Sequence, residues 1–528
     1  MKILTPALVA RLSIAAIALT LLVGCTTSLE RWKNNCFKVG PEYCRPDAPL
    51  EIEWIDMQVD PRLSAEYPDI ATWWYQLNDP LLNSLIEETL QQNLTLRQAG
   101  TRIQQAQAIR NIATGNLFPQ VQQATADYQR IQTSENVAVP SPVGAFDFYG
   151  AGLAAAWELD FWGRFRRSVA SADAALNASI ASYDDVTVIL VSSVAATYVE
   201  IRLVQERLRL ARQNLASQQG SLEIAEARFQ AQQTNKLDVN EAGSNVANTA
   251  SFIPPLEAQL RVANNRLCVL LGIPPRDLVS QWPESPIPTV SPDVHVGIPA
   301  DLLRRRPDIR VAERLMAAQS ERIGIAEADL YPRISLIGSI EWQSESSRNL
   351  FDSASIFGLI GPSLTWNILN YGRIFNNVRR EQFLFEESVY NYQETVLVAQ
   401  QETEDAIIGF LKAQEQSDRL SDAVAEADEA AEIAVTLYRT GAIDFNRVFV
   451  IQSVQFAQQE GLVLSQANEV FNLIQIYRAL GGGWESRCFG GLQAAPVAFV
   501  DDQSGGLIEE APQEPLMDVD EAAGTDQN

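Results

Sequence analysis

The chain has 528 residues, with 40 Lys and Arg against 66 Asp and Glu, giving a formal net charge of −26. So acidic a balance excludes nucleic acid as the main partner, because neutralising phosphate needs clustered basic side chains. A single histidine, His295, excludes a multi-His metal site, and the five cysteines (25, 36, 44, 268 and 488) form no CxxC pair, which removes zinc-ribbon and thioredoxin-like motifs.

Residues 1–24 read as an export signal. Lys2 and Arg11 accompany an apolar stretch from Leu12 to Val23, shorter than the about 20 residues a membrane-spanning helix needs. The run Leu22-Val23-Gly24-Cys25 resembles a bacterial lipobox, in which Cys25 is acylated and becomes the new N-terminus. Thr26 after it is what that resemblance associates with outer-membrane sorting. Export permits disulfides. Cys36 and Cys44 could close a small loop, Cys488 could pair with either, and Cys268, inside an apolar helical run, reads as a buried thiol.

Beyond the anchored segment 25–80, the chain reads twice. Trp157-Glu158-Leu159-Asp160-Phe161-Trp162-Gly163-Arg164 is answered 209 positions later by Trp366-Asn367-Ile368-Leu369-Asn370-Tyr371-Gly372-Arg373. Leu117-Phe118-Pro119 is answered by Leu330-Tyr331-Pro332, and Leu237-Asp238-Val239 by Ile443-Asp444-Phe445. A near-constant offset with small differences marks a duplication. The copies span 81–272 and 300–484, joined by a Pro-rich crossover at 273–299. The tail 485–528 is acidic, with nine Asp and Glu and no Lys or Arg from Ala494 on, and is expected to be disordered.

Each copy runs helix, two strands, very long helix, turn, returning helix. The first helix is expected at Leu81 to Gly115, opened by Asn78-Asp79-Pro80. Residues 120–131 and 147–159 alternate as strands, with Tyr149, Ala151, Leu153, Ala155 and Trp157 on one face. In copy two, Ile334, Leu336, Gly338, Ile340 and Trp342, then Ile360, Pro362, Leu364 and Trp366, repeat the stripe. Aromatic residues toward segment ends favour a membrane barrel over a soluble sheet. Phe161 to about Gln230 contains no Pro, and seventy helical residues would span roughly 105 Å. Its apolar seam is heptad, Val194, Ile201, Leu208, Leu215, Leu222 and Phe229, backed by the small-residue seam Thr197, Val204, Ala211, Gln218 and Ala225.

Four strand segments cannot close a membrane barrel, which needs about eight, and open edges in lipid are prohibitive. Two chains would make an eight-stranded barrel filled by side chains, whereas three make twelve strands around a lumen. The expected fold is therefore mainly α with a small membrane β part: a trimer with a 12-stranded membrane β-barrel joined to a long 12-helix tube projecting away from it, which the resemblance described next places in the outer membrane and the periplasm.

Five ordered motifs then carry a resemblance. Pro299-Ala300-Asp301-Leu302-Leu303-Arg304-Arg305-Arg306-Pro307-Asp308-Ile309-Arg310 and Arg322-Ile323-Gly324-Ile325-Ala326-Glu327-Ala328-Asp329-Leu330-Tyr331-Pro332 resemble the hallmark of TolC-like outer-membrane efflux lipoproteins serving resistance–nodulation–division pumps. Val39-Gly40-Pro41-Glu42-Tyr43-Cys44-Arg45-Pro46 and Trp73-Trp74-Tyr75-Gln76-Leu77-Asn78-Asp79-Pro80 are similar to that family's N-terminal motifs. The resemblance implies a homotrimeric exit duct in outer-membrane lipid, a periplasmic adaptor, an inner-membrane pump and a mid-tunnel collar. It implies no cofactor, metal or catalytic residue. A protein-secretion duct of the same shape and a coiled-coil lipoprotein without a pore are the alternatives.

The controllable part of a duct is the tip where each helix pair turns, at Gln230 to Lys236 and Arg439 to Ala442. Asp238 and Asp444 are the turn carboxylates, and each also reads as a cap for the helix it opens. In the family an acidic ring narrows the bore, but the corresponding position here is Val450. The expected gate therefore uses Asp444 and Arg447, with Tyr438 and Arg439. Thr440, Gly441 and Ala442 form the turn expected to meet the adaptor. The run Arg304-Arg305-Arg306 reads as internally paired with Asp301 and Asp308, and His295 as a bystander.

Overall fold

The computed structural model describes residues 32–485 except 34, 67–69, 135, 137–143 and 284. Cys25, Cys488 and the acidic tail lie outside the described residues. The elements in chain order are β1 (Leu63–Ser64), α1 (Pro80–Gln92), α2 (Leu94–Gly115), β2 (Val121–Gln132), β3 (Ala145–Glu158), α3 (Arg164–Gln230) and α4 (Lys236–Leu270). After the crossover come β4 (Val294–His295), α5 (Leu302–Arg305), α6 (Pro307–Ala328), β5 (Arg333–Ser344), β6 (Ile356–Thr365), α7 (Arg373–Thr440) and α8 (Phe445–Ala479). The duplication is plain in this order, since α2-β2-β3-α3-α4 recurs as α6-β5-β6-α7-α8.

The expected single helix 81–115 is two. Asp79 caps α1 through Leu81 N at 3.0 Å, as the Asp-Pro opening requires. Asn93 then breaks the run. Its Oδ1 accepts from Leu96 N at 2.9 Å to start α2, and its Nδ2 donates to the Leu270 carbonyl at the end of α4. A side chain that satisfies both a helix start and a distant helix end makes a corner that local propensity does not reveal.

The strands form one antiparallel sheet in the order β2-β3-β5-β6. Register places Ala124, Leu153, Ile340 and Gly358 in one row on the apolar face. The opposite face carries Gln123, Thr125, Asp127 and Gln129 of β2, and Ser335, Ser339 and Glu341 of β5. Tyr128 and Tyr149 pair across the far end, ring centroids 4.9 Å apart. At the near end the two copies repeat one contact: Trp157 Nε1 donates to Leu117 O (3.1 Å) and Trp366 Nε1 to Leu330 O (3.0 Å). Eight residues of β3 separate Tyr149 from Trp157, roughly 27 Å at 3.4 Å per residue, close to the about 25 Å apolar band of a membrane barrel. Both outer strands, β2 and β6, have one unpaired edge among the described residues.

The long helices hold 67 and 68 residues, roughly 100 Å each. Gly163 and Gly372 stand at their starts in left-handed backbone, φ 82° and 80°, a conformation that glycine enters at least cost. The heptad seam holds for half of α3. Val194, Ile201 and Leu208 are buried, whereas Leu215 and Leu222 are half-buried and Phe229 is exposed. The small-residue seam Thr197, Val204, Ala211, Gln218 and Ala225 is buried throughout. Near the tip, where α3 leaves α6 behind and packs mainly on the returning helices, close approach over small residues replaces the large-residue seam. The returning helices each carry a weak point: α4 holds Pro254 and Pro255 in its interior, and α8 holds Gly461 at the matching height.

Between sheet and tip sits a collar whose pieces come from both ends of the described chain. β1 and β4 pair in parallel, Leu63 with Val294 and Ser64 with His295, a ribbon too short to be read from sequence. Trp73 is fully buried and stacks on Tyr477 of α8 at 5.2 Å. Trp54 Nε1 donates to Gly297 O of the crossover at 3.0 Å. His295 is exposed and 3.8 Å from Glu66. Cys268 is buried, as expected.

Two consecutive arginines at the base of α3 grip the N-terminal segment. Arg166 donates to the carbonyls of Cys36 and Phe37. Arg167, fully buried, donates to Val39 O and to Glu321 Oε2 of α6 at 2.7 Å. It lies flat against Gly324, where a Cβ would sit 2.1 Å from its Cδ. Cys36 and Cys44, the pair that could close a small loop, are exposed and not bonded to each other in this structure; Arg166 holds the Cys36 carbonyl, and Cys44 Sγ faces the Arg45 carbonyl.

Candidate functional site

The two helix pairs end together at one tip. α3 stops because Gln232 enters the left-handed region, φ 56°, so that Gln233 N reaches back to Arg228 O. α7 stops the same way with Gly441, φ 83°, and Ala442 N bonds to Leu437 O. Thr440 Oγ1 folds back onto Leu437 O. The turn Thr440-Gly441-Ala442 is exposed.

The caps of the returning helices differ from expectation in one copy. Asp444 caps α8, accepting from Arg447 N at 3.1 Å. Asp238 does not cap α4. Asn235 does, accepting from Leu237 N and Asp238 N at 2.8 and 3.2 Å. The reason is register: Gln232 ends α3 early enough that Asn235 falls at the cap and Asp238 three residues inside.

Freed from capping, Asp238 is buried and points at the other helix pair. Its Oδ2 accepts from Tyr438 Oη at 3.1 Å and from Thr234 Oγ1 at 2.5 Å. Tyr438 is buried to 1 % exposure, and its hydroxyl is pushed up to about 12, by burial first and then by the Asp238 charge. It therefore stays a neutral donor near neutral pH. Arg228 lies 4.5 Å over the Tyr438 ring and donates from Nη1 to the Tyr438 carbonyl. Ala225, Ala242 and Ala434 complete the cluster with Phe445 and Val448, their small size letting four helices close on one ring.

Above this cluster lies a buried polar layer. Gln452 of α8 donates to Ser221 of α3 at 3.0 Å and accepts from Asn245 of α4 at 3.3 Å. Higher still, Asn214 donates to Gln459 and Arg207 pairs with Glu460, tying α3 to α8. The tip is thus held by a small apolar cluster and, above it, by hydrogen bonds that cross between the helices.

Of the expected gate residues, the structure brings Tyr438 to Asp238. Arg439, Asp444 and Arg447 are exposed, and among the described residues no ion pair joins the Asp444 carboxylate to the Arg447 guanidinium within the chain. Arg228 and Thr234 were missed. Their only signal was placement, a basic residue in the last turn of α3 and a hydroxyl four positions before Asp238. In the Arg304–Arg306 run, Arg306 pairs with Asp308 as expected, and also with Glu402 of α7, each at 2.7 Å. No cluster of metal-ligating side chains occurs among the described residues.

Comparison with known proteins agrees with this architecture. The family model described as outer membrane efflux protein matches residues 85–273 and 298–482. Nodulation protein T of Rhizobium leguminosarum bv. trifolii is 32 % identical over 406 residues, covering 76 % of this chain and 85 % of that protein. The pyoverdine export outer membrane protein OpmQ of Pseudomonas aeruginosa is 31 % identical over 425 residues, 79 % of this chain and 88 % of its own length. The solved outer-membrane channel OprN superposes with a TM-score of 0.79 at 31 % identity, covering 85 % of this chain and 99 % of that one. With two matched repeats, a channel fold and the sheet-to-tip layout above, the chain belongs to the outer membrane efflux protein family.

Proposed function

We propose that three copies of this chain form one exit duct of a tripartite efflux system, receiving substrate from an inner-membrane pump through a periplasmic adaptor and passing it across the outer membrane without chemical change. The observation that carries this reading is the four-stranded sheet with both outer edges unpaired. In lipid those edges must find partners, and three copies supply twelve strands around an open lumen. The four long or returning helices of each copy then supply twelve tunnel walls. Acylation of Cys25 anchors the segment that Arg166 and Arg167 fasten to the base of α3.

The tip is the valve. The Tyr438–Asp238 bond, with Arg228 behind it, ties α7 to α4 while the entrance is shut, and the exposed turn at Thr440-Gly441-Ala442 is where the adaptor engages. The reading is tested by the mass of the detergent-purified mature protein together with its conductance in planar bilayers. A trimer with discrete conductance steps is expected. A stable monomer that stays soluble without detergent overturns it.

A further inference from the structure

Copy two turns the same corner as copy one, but with ionisable side chains. In copy one Asn93 opens α2, and its amide meets the Leu270 carbonyl at the end of α4. In copy two Arg306 stands at the start of α6, and its Nη1 donates to the Ala479 carbonyl at the end of α8 at 3.0 Å. The repeat offsets pair Thr95 with Asp308, Ser193 with Glu402, Ala196 with Asp405 and Val269 with Arg478. At each of these positions an uncharged side chain in copy one answers an ionisable one in copy two.

The charges at this corner are not all matched. Arg306, buried, is held by Asp308 and Glu402, each at 2.7 Å. Asp185 of α3 lines the same cavity, about 160 Å³ in volume, and has no hydrogen bond or ion pair among the described residues. Its neighbour Asp184 is buried and pairs with Arg310 of α6 at 3.3 Å. Arg478, in the last turn of α8, is exposed and makes no ion pair among the described residues. It lines the Asp185 cavity and also a second one of about 290 Å³, which it shares with Asp405 of α7. Asp405 accepts only from Gln401 on its own helix, at 3.3 Å. A guanidinium on a long, flexible stem thus stands between two carboxylates carried by different helices.

We propose that Arg478 is a proton-controlled arm with two seats: while Asp185 is ionised it swings into the smaller cavity and ties the end of α8 to α3, and when Asp185 is protonated it seats on Asp405 and ties α8 to α7. A carboxylate attracts the guanidinium across the cavity, and a carboxylic acid does not. The groups facing Asp185 are Arg306 and Asp308 at the start of α6, Glu402 of α7 and Arg478 of α8. Burial first, then Asp308, outweighs the two arginines and pushes the Asp185 carboxyl up to about 6. The exchange therefore falls just below neutral pH. Further toward the tip, Arg207–Glu460 and Asn214–Gln459 already join α3 to α8. The neutral-pH seat extends that row to the collar, whereas the acid seat leaves α7 and α8 as the tighter pair.

The test follows the Asp185 carboxyl in the full-length protein in detergent, as the protonated-carboxyl infrared band that is missing from Asp185→Asn, titrated from about pH 4 to 8. Arg478→Gln should raise its midpoint by about one pH unit, because an opposite charge is taken away. Arg478→Lys, which keeps the charge, should stay near the parent midpoint. Asp405→Asn should lower the midpoint, because Arg478 loses its other seat. In the Arg478→Gln background Asp405→Asn should move nothing, since no arm is left to redistribute. A midpoint indifferent to Arg478→Gln overturns the arm. An effect of Asp405→Asn that is absent, or equal with and without Arg478, overturns the second seat.

Discussion

Replacing Tyr438 with Phe takes one oxygen from the tip and leaves the ring, its contact with Arg228 and its edge-on packing against Phe445 in place. What is lost is a single hydrogen bond, 3.1 Å long, from a buried hydroxyl to a buried carboxylate. A bond to a charged group is worth about 1.5–3 kcal/mol, and it acts here only while α4 and α7 lie together. At about 1.4 kcal/mol per decade the open population should rise roughly 12- to 140-fold per protomer. The Thr234 hydroxyl remains on Asp238 and places the effect toward the lower end. Planar-bilayer recording of purified protein reads this directly as a higher mean conductance at low voltage. If Tyr438→Phe channels conduct as the parent does, with unchanged oligomer mass, the tie between the helix pairs is not the lock.

Gly324→Ala should destabilise the protein despite alanine's better helix propensity, because the new Cβ meets buried Arg167 at 2.1 Å and displaces it from Glu321 and Val39 O. Breaking a buried pair costs about 3–5 kcal/mol, visible as a lowered melting temperature in detergent, and an unchanged melting temperature would refute the grip. Asp185, beside Asp308, Glu402, Arg306 and Arg478, has its carboxyl raised to about 6, by burial first and then by Asp308. Its folded value lies above the unfolded one, so the favourable contribution is complete below about pH 4 and is lost as pH rises toward 6. Asp185→Asn should therefore flatten the melting temperature across that window and raise it at pH 7, and an unaltered pH profile would count against it. Cys25→Ala should abolish incorporation of labelled palmitate, and labelling that persists would place the anchor elsewhere.

The long-range plan was legible because duplication writes it twice. The alternation at Tyr149 to Trp157 and its echo at Ile334 to Trp342 marked the strands, and an uninterrupted run without Pro marked α3. The departures share a cause, since each depends on a partner far away in sequence. Asn93 breaks a helix because Leu270 O is waiting for its amide. The β1–β4 ribbon exists only when the crossover passes the N-terminal segment. Arg167 reads as one more solvated basic residue until Gly324 opens a slot for it. At the tip, Asn235 and Asp238 are both good caps, and the left-handed residue Gln232 decided between them. That decision released Asp238 to meet Tyr438, so the candidate site was half visible: the right tyrosine and carboxylate were named, without the bond between them.

Pro254 and Pro255 withdraw two main-chain donors, leaving the carbonyls of Ala250 and Ser251 without their usual partners, and Gly461 loosens the matching level of α8. Elastic stiffness along the returning helices is therefore uneven, with a soft joint between a rigid collar and a hydrogen-bonded end. Bending concentrates at the soft joint, so the first 18 residues of α4, between the tip and Pro254, can swing as a lever while the Trp73–Tyr477 stack stays still.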